Sequence, residues 1–136
     1  MTTTRFAPSP TGPLHLGHAY SALLAADMAR TAEGRVLLRI EDIDTARCKP
    51  EYVAGLFEDL TWLGLTWPEP VLYQSERFGT YAQAANRLRA LDLLYPCFCS
   101  RSDIAQNATG TDPDGAPLYP GTCRHMSNAE RIERLE

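Results

Sequence analysis

The first 42 residues leave little freedom of fold. "TRFAPS" has strand character, and its prolines then force an extended turn. Thr11, Gly12 and Pro13 form a helix entry with proline near the first helical position. The spacing predicts a helix from about Leu14 to Arg30, with Leu16, Tyr20, Leu23, Leu24 and Met28 as its apolar face. Gly34 stops that helix, and "RVLLRIED" follows as a short apolar strand of the type buried in parallel sheets. Strand, helix and strand in succession make a βαβ unit with a right-handed crossover, so the fold class is α/β.

Further along, a second helix is expected after Pro50, with Val53, Leu56, Phe57, Leu60 and Leu63 on one side. A short strand is expected around Val71 to Gln74. A third helix is expected from about Arg77 to Leu94, with Tyr81, Ala85, Leu88 and Leu91 facing inward. From Pro96 the composition turns to Gly, Pro, Asp and Thr and carries three cysteines, a poor core by itself. Ser127 with Glu130 three residues on has the capping-box pattern and starts a charged helix. The expected organisation is 1–95 as a first domain, 96–126 as an insertion and 127–136 as the start of a helix cut mid-pattern.

The bulk numbers narrow the classes. With 136 residues the chain is long enough for one domain with a real core. No segment approaches the roughly 18 uninterrupted apolar residues of a membrane span, and no secretory signal is apparent. A cytoplasmic protein without membrane attachment is therefore expected. The net charge of -4 argues against a surface that grips nucleic acid everywhere, although it leaves room for a local basic face. Cys97, Cys99 and Cys123 fall in one segment, and Cys97 and Cys99 stand too close for an ordinary disulfide, so metal binding is the better reading. Cys48 lies far from them and reads as an ordinary thiol.

The βα turn carries the chemistry. Such turns open on the crevice where doubly wound sheets bind ligands, and the helix N-terminus favours anions. His15 and His18 lie three apart in the first turn, on one face. Gly17 between them lets a flat ring approach the backbone. These features suit a nucleotide with its base over Gly17 and its phosphates against both imidazoles. On spacing alone, the pair also fits two surface residues of a helix start.

"RFAPSPTGPLHLGHA" resembles the first signature of class I aminoacyl-tRNA synthetases, in the version typical of bacterial glutamate-activating enzymes. "LLRIEDIDTAR" and "LYQSER" resemble two further segments of that family. The resemblance implies the N-terminal half of a class I synthetase Rossmann-type nucleotide-binding fold. It implies that Arg5 binds the glutamate substrate, that Phe6, Ala7, Pro8 and Ser9 line its pocket, and that Glu41 receives its α-ammonium. His15, Gly17 and His18 would bind ATP, with both histidines catalytic and Mg2+ accompanying the nucleotide. From the residues alone, Glu41 also fits a strand-end carboxylate in a salt bridge. Arg39, Asp42, Asp44 and Arg47 fit either contacts to tRNA or, the preferred reading, pairing with one another on a solvated edge.

Cys97-Phe98-Cys99 followed by Tyr119 and Cys123 resembles the zinc-binding insertion of the shortened paralogues that glutamylate queuosine in tRNA(Asp). The resemblance implies one structural Zn2+ held by Cys97, Cys99, Tyr119 and Cys123, with His125 as a competing fourth ligand. It implies activation of glutamate to glutamyl-adenylate and transfer to tRNA(Asp), by a monomer. Charging of tRNA(Glu) and a zinc-binding module without catalysis are the alternatives. A small nucleotidyltransferase would share the histidine pair but not "RFAPSPTG" or the cysteines. The lysine-serine signature and the second half of the nucleotide fold are missing, so activity is expected of a longer enzyme.

Overall fold

Residues 1–135 are described by a computed structural model, which orders the elements as follows. β1 (Thr3–Phe6) is followed by α1 (Leu16–Thr31), β2 (Arg35–Ile40), α2 (Pro50–Trp62) and β3 (Leu72–Tyr73). A 3-10 turn (Ser75–Arg77) leads into α3 (Phe78–Ala90), and α4 (Arg101–Asn107) and α5 (Asn128–Glu133) complete the series. The chain divides into two units, Met1–Tyr81 and Ala82–Glu136.

The first unit is the βαβ arrangement that the sequence implies, extended by one strand. The sheet is parallel and ordered β1-β2-β3, with Arg5 beside Leu37 and Phe6 beside Leu38. Successive crossovers of one hand, stepping the same way along a sheet, leave both helices on one face. The core agrees: Phe6, Leu38 and Ile40 from the strands meet Ala22 of α1 and Leu56 and Leu60 of α2. Because side chains alternate along a strand, Arg5, Leu37 and Arg39 occupy the opposite face. Apolar core and polar site are thereby sorted onto two sides of one sheet.

The helices depart from expectation in instructive ways. α1 starts at Leu16, because His15 is extended (φ -124, ψ 173) and serves as N-cap, so Pro13 belongs to the approach and not to the first turn. Its buried residues are Ala22 and Ala29, while Leu16, Tyr20, Leu23, Leu24 and Met28 are all exposed. The expected apolar face is therefore not the packed one. Small side chains let α1 lie close on the strands, and Thr4 Oγ1 donates to the Ala25 carbonyl across that contact at 2.8 Å.

α2 fits its pattern, with Pro50 in its first turn and Leu56 and Leu60 buried. α3 ends at Ala90, four residues before Leu94. There Asp92 takes a left-handed φ of 53, and the Leu93 N–H closes on the Leu88 carbonyl at 3.0 Å. Tyr81, Leu88 and Leu91 are exposed and only Ala85 is half-buried, so that helix's expected inward face is not packed either.

The second unit has little regular structure. A turn at Asp112–Gly115 joins the isolated antiparallel bridge between Thr111 and Pro117, with Asp112 Oδ1 accepting from the N–H groups of Asp114 and Ala116. α5 carries the expected capping box of Ser127 and Glu130. α4 was not foreseen, although Ser100 and Asp103 form an equivalent box. Among the described residues, no helix is long and apolar enough to cross a membrane.

Candidate active site and metal-ligand cluster

The C-terminal ends of β1 and β2 and the start of α1 enclose a cavity of about 730 Å³. Arg5, Phe6, Ala7, Pro8, Ser9, His15, His18 and Glu41 all line it. Strand alternation decides which side chains serve it. Phe6 and Pro8 are buried toward the core, whereas Arg5 and Ser9 are exposed. The register continues past the formal strand end: Arg35 N–H donates to the Thr2 carbonyl at 3.0 Å, and Glu41 N–H donates to the Pro8 carbonyl at 2.9 Å. Glu41 therefore sits beside Ser9 on the cavity face, joined to the signature loop through the backbone.

The two histidines are built into the helix start. Gly17 N–H donates to His15 Nδ1 (3.1 Å), and His15 N–H donates to His18 Nδ1 (3.2 Å). This is a capping box in which imidazoles replace the usual hydroxyl and carboxylate. The rings stack with centroids 3.8 Å apart and planes inclined by 30°. Since each Nδ1 accepts a hydrogen bond, a neutral ring must carry its proton on Nε2. Both imidazoles thus keep an Nε2–H donor outside the cap. Desolvation, helped by the neighbouring His15, holds the His18 pKa below its ordinary 6.5.

Gly17 does not line the cavity. A Cβ there would stand 3.1 Å from His15 Cε1 and 3.2 Å from Nδ1, so glycine leaves room for the capping ring. That reason was not visible in the sequence. Thr11, Gly12, Pro13 and Ser21 also line the cavity. Ser21 follows His18 by three residues, a spacing that places it on the same helix face.

The acidic strand end resolves differently from expectation. Asp44 and Arg47 do pair, Arg47 Nε donating to Asp44 Oδ2 at 2.6 Å. Arg39 pairs instead with Glu41, and Asp42 accepts from Ser75 N–H (2.9 Å) and Ser75 Oγ (2.6 Å). Asp42 thereby fastens the end of β2 to the turn before α3.

In the second unit, the Sγ atoms of Cys97, Cys99 and Cys123 lie within 4.8 Å of one another, and Cys123 is buried. Cys99 and Cys123 Sγ are 3.5 Å apart, and Cys97 Sγ is 3.5 Å from Tyr119 Oη. Thiolates held tetrahedrally about 2.3 Å from a zinc ion lie about 3.8 Å apart, so donors and spacing fit that metal. The Tyr119 oxygen also accepts from Cys123 N–H at 2.9 Å, a contact suited to an oxygen gaining negative charge. His125 is exposed and lies outside the cluster. The Phe98 N–H, with further hydrogen bonds from Cys99 and Tyr119, brings the Cys123 thiol down to about 7. The hydrogen bond between the Cys99 and Cys123 thiols, with desolvation, raises Cys99 to about 11. Cys48 is a half-buried free thiol apart from the cluster.

Comparison with known proteins agrees with this geometry. The profile of the family described as tRNA synthetases class I (E and Q), catalytic domain, matches residues 1–135. A glutamyl-Q tRNA(Asp) synthetase of Rhodobacter capsulatus is 60% identical over 127 residues, covering 89% of this chain and 45% of its own length. A glutamate–tRNA ligase of Hydrogenobaculum is 43% identical over 137 residues, covering 100% of this chain and 29% of its own. Among solved structures, the glutamate-tRNA synthetase of Elizabethkingia anophelis superposes with a TM-score of 0.72 at 30% identity, over 98% of this chain and 30% of that one. The chain thus spans less than half the length of these relatives. Its parallel βαβ sheet, its histidine-capped βα turn and the match over nearly every residue place it in one family: the chain belongs to the class I tRNA synthetases of the E and Q type, in their catalytic domain.

Proposed function

We propose that this chain supplies the first half of an adenylation site for glutamate, within a longer enzyme that passes the activated glutamate to the queuosine of tRNA(Asp). The carrying observation is the single cavity that gathers Arg5, Ser9, Glu41, His15 and His18 at the ends of β1 and β2. In the reaction, a glutamate α-carboxylate oxygen attacks the α-phosphorus of ATP. A new P–O bond forms while the bond to the β-phosphate breaks and pyrophosphate departs.

The protein's part in such a step is positioning and stabilisation of phosphate charge. Arg5 offers a guanidinium fork to a substrate carboxylate. Ala7 and Ser9 shape the pocket, and Glu41 receives the α-ammonium. The Nε2–H groups of His15 and His18 donate to phosphate oxygens, with the helix N-terminus adding partial positive charge. Gly17 acts indirectly, leaving room for the His15 ring whose Nε2–H is offered to the nucleotide. Mg2+ is expected with ATP, held through its phosphates.

Cys97, Cys99, Cys123 and Tyr119 would hold one Zn2+, which cross-links a segment too poor in apolar residues to fold firmly alone. The 60% identity to a glutamyl-Q tRNA(Asp) synthetase favours the queuosine acceptor. The 43% identity to a glutamate–tRNA ligase keeps tRNA(Glu) as the second reading.

Two assays on the complete protein test the proposal. Glutamate-dependent ATP–pyrophosphate exchange should be present and should fall about 10²–10³-fold in His18→Ala, as for other charge-stabilising donors. Unchanged exchange in that variant sinks the assignment. Labelled glutamate should then be incorporated into queuosine-containing tRNA(Asp) and not into tRNA(Asp) lacking queuosine. Incorporation into tRNA(Glu) alone would select the second reading.

A further inference from the structure

Arg39 lies at the last turn of strand before the cavity, yet it is not among the residues lining it. The continued register puts it beside Ala7 and, on the other side, beside Leu72, neither of which offers an anion. Its one ionic partner among the described residues is Glu41, two positions on and on the same face of the sheet. Nη2 of Arg39 donates to Oε1 of Glu41. Oε2 of Glu41 receives no protein donor among the described residues. Arg39 Nε is buried and has no hydrogen-bond partner among the described residues.

An arginine in that condition is a poor contributor to stability. A buried N–H without an acceptor costs free energy, and apolar replacements of partly buried ion pairs are often neutral or stabilising. What the arrangement does provide is orientation. Backbone N–H of Glu41 is held by the Pro8 carbonyl, and one carboxylate oxygen is held by Arg39. The remaining oxygen is then fixed relative to Ser9 and Arg5 across the cavity. We infer that Arg39 is a positioning residue for the Glu41 carboxylate, acting from behind the cavity wall to set the oxygen that meets an amino-acid ammonium group.

This inference rests on the adenylation reading above, and the two fail separately. The test is glutamate-dependent ATP–pyrophosphate exchange by the complete protein carrying Arg39→Met, Arg39→Lys, Glu41→Gln or Arg39→Met with Glu41→Gln. Arg39→Met should raise KM for glutamate about 10-fold, as for one lost hydrogen bond to a charged group, with KM for ATP unchanged. Arg39→Lys, which keeps the charge and loses the fork, should fall between wild type and Arg39→Met. In the Glu41→Gln background the Arg39 substitution should add nothing, because its effect passes through that carboxylate.

An unchanged KM for glutamate overturns the inference. So does a matching loss in both KM values together with a lowered melting temperature, which is the signature of a merely structural residue. Should Arg39→Met not fold, Arg39→Lys measured with and without Glu41→Gln decides alone, and equal effects in both backgrounds overturn the inference. Absence of glutamate-dependent exchange in the wild-type protein rejects the functional reading itself.

Discussion

Replacing Gly17 with alanine sets the stability of α1 against the placement of His15. The added Cβ would lie 3.1 Å from His15 Cε1 and 3.2 Å from its Nδ1, closer than ordinary contact. A side-chain ring can give way where backbone could not, so the imidazole rotates and the Gly17 N–H to Nδ1 bond is lost. Loss of an N-cap costs about 1 kcal/mol. Alanine in place of glycine inside a helix returns about 0.8–1 kcal/mol. The two effects nearly cancel, so the folding free energy should stay within about 1 kcal/mol of wild type. Chemistry has no such compensation, because the Nε2–H of His15 moves with its ring. A misplacement of about 1 Å costs on the order of 10²-fold in rate. Urea unfolding and glutamate-dependent ATP–pyrophosphate exchange on the complete protein separate the two. Wild-type exchange by Gly17→Ala would refute the link between glycine and ring. A stability loss above about 2 kcal/mol would show that the ring has no room to rotate.

Other perturbations test the remaining parts. His15→Asn keeps a capping side chain but removes the smaller cause of the depressed His18 pKa, so the His18 titration followed by NMR should move partway up toward 6.5. Because that folded-state pKa is lowered, the His18 contribution to stability is present above the unfolded value and is lost as pH falls through the folded one. Gly34→Ala should destabilise by about 1–3 kcal/mol in thermal unfolding, since its Cβ would stand 2.2 Å from the Thr2 carbonyl oxygen, backbone that cannot step aside. Ser75→Ala removes the Oγ donor from Asp42 Oδ2 while the backbone N–H to Oδ1 stays, and should cost about 1–3 kcal/mol, read in the same assay. With Cys99 at about 11 and the Tyr119 phenol raised, zinc uptake should release protons and strengthen as pH rises, measurable by chelator competition. Tyr119→Phe should weaken zinc retention and His125→Ala should leave it unchanged; the reverse result reassigns the fourth ligand.

The site residues were legible through the family resemblance of "RFAPSPTGPLHLGHA" and "LLRIEDIDTAR", and the structure gathers Arg5, Ser9, His15, His18 and Glu41 around one cavity. In the structure, alternation along β1 and β2 sends Phe6, Leu38 and Ile40 to the core and leaves Arg5, Ser9, Arg39 and Glu41 on the other side. The cysteine spacing likewise announced a cluster that the structure closes. What the sequence concealed depends on contacts between distant residues. α1 packs through Ala22 and Ala29 and not through its leucines, because a helix close to a sheet needs small side chains more than large ones. Nothing local distinguishes that stripe from the bulkier one beside it. The Arg39–Glu41 and Asp42–Ser75 pairings were hidden for a related reason. Which acid takes which donor depends on strand direction and on a turn 33 residues away.

In the proposed site, folding and chemistry would share the atoms of the histidine pair. A helix start needs acceptors for its first N–H groups, and His15 and His18 provide them through Nδ1. Meeting that need fixes each ring's orientation and leaves the proton on the outward nitrogen, the tautomer a phosphate oxygen requires. Aspartate would cap as well and, being an acceptor only, would present no donor to the cavity. Asparagine at position 15 sharpens the point, since it retains an acceptor for Gly17 N–H while its amide reaches less far than imidazole Nε2. His15→Asn should therefore unfold like wild type while its glutamate-dependent exchange falls about 10²–10³-fold. A variant that loses stability but keeps its exchange rate would mean that the cap alone, and not the donor it orients, is why histidine stands there.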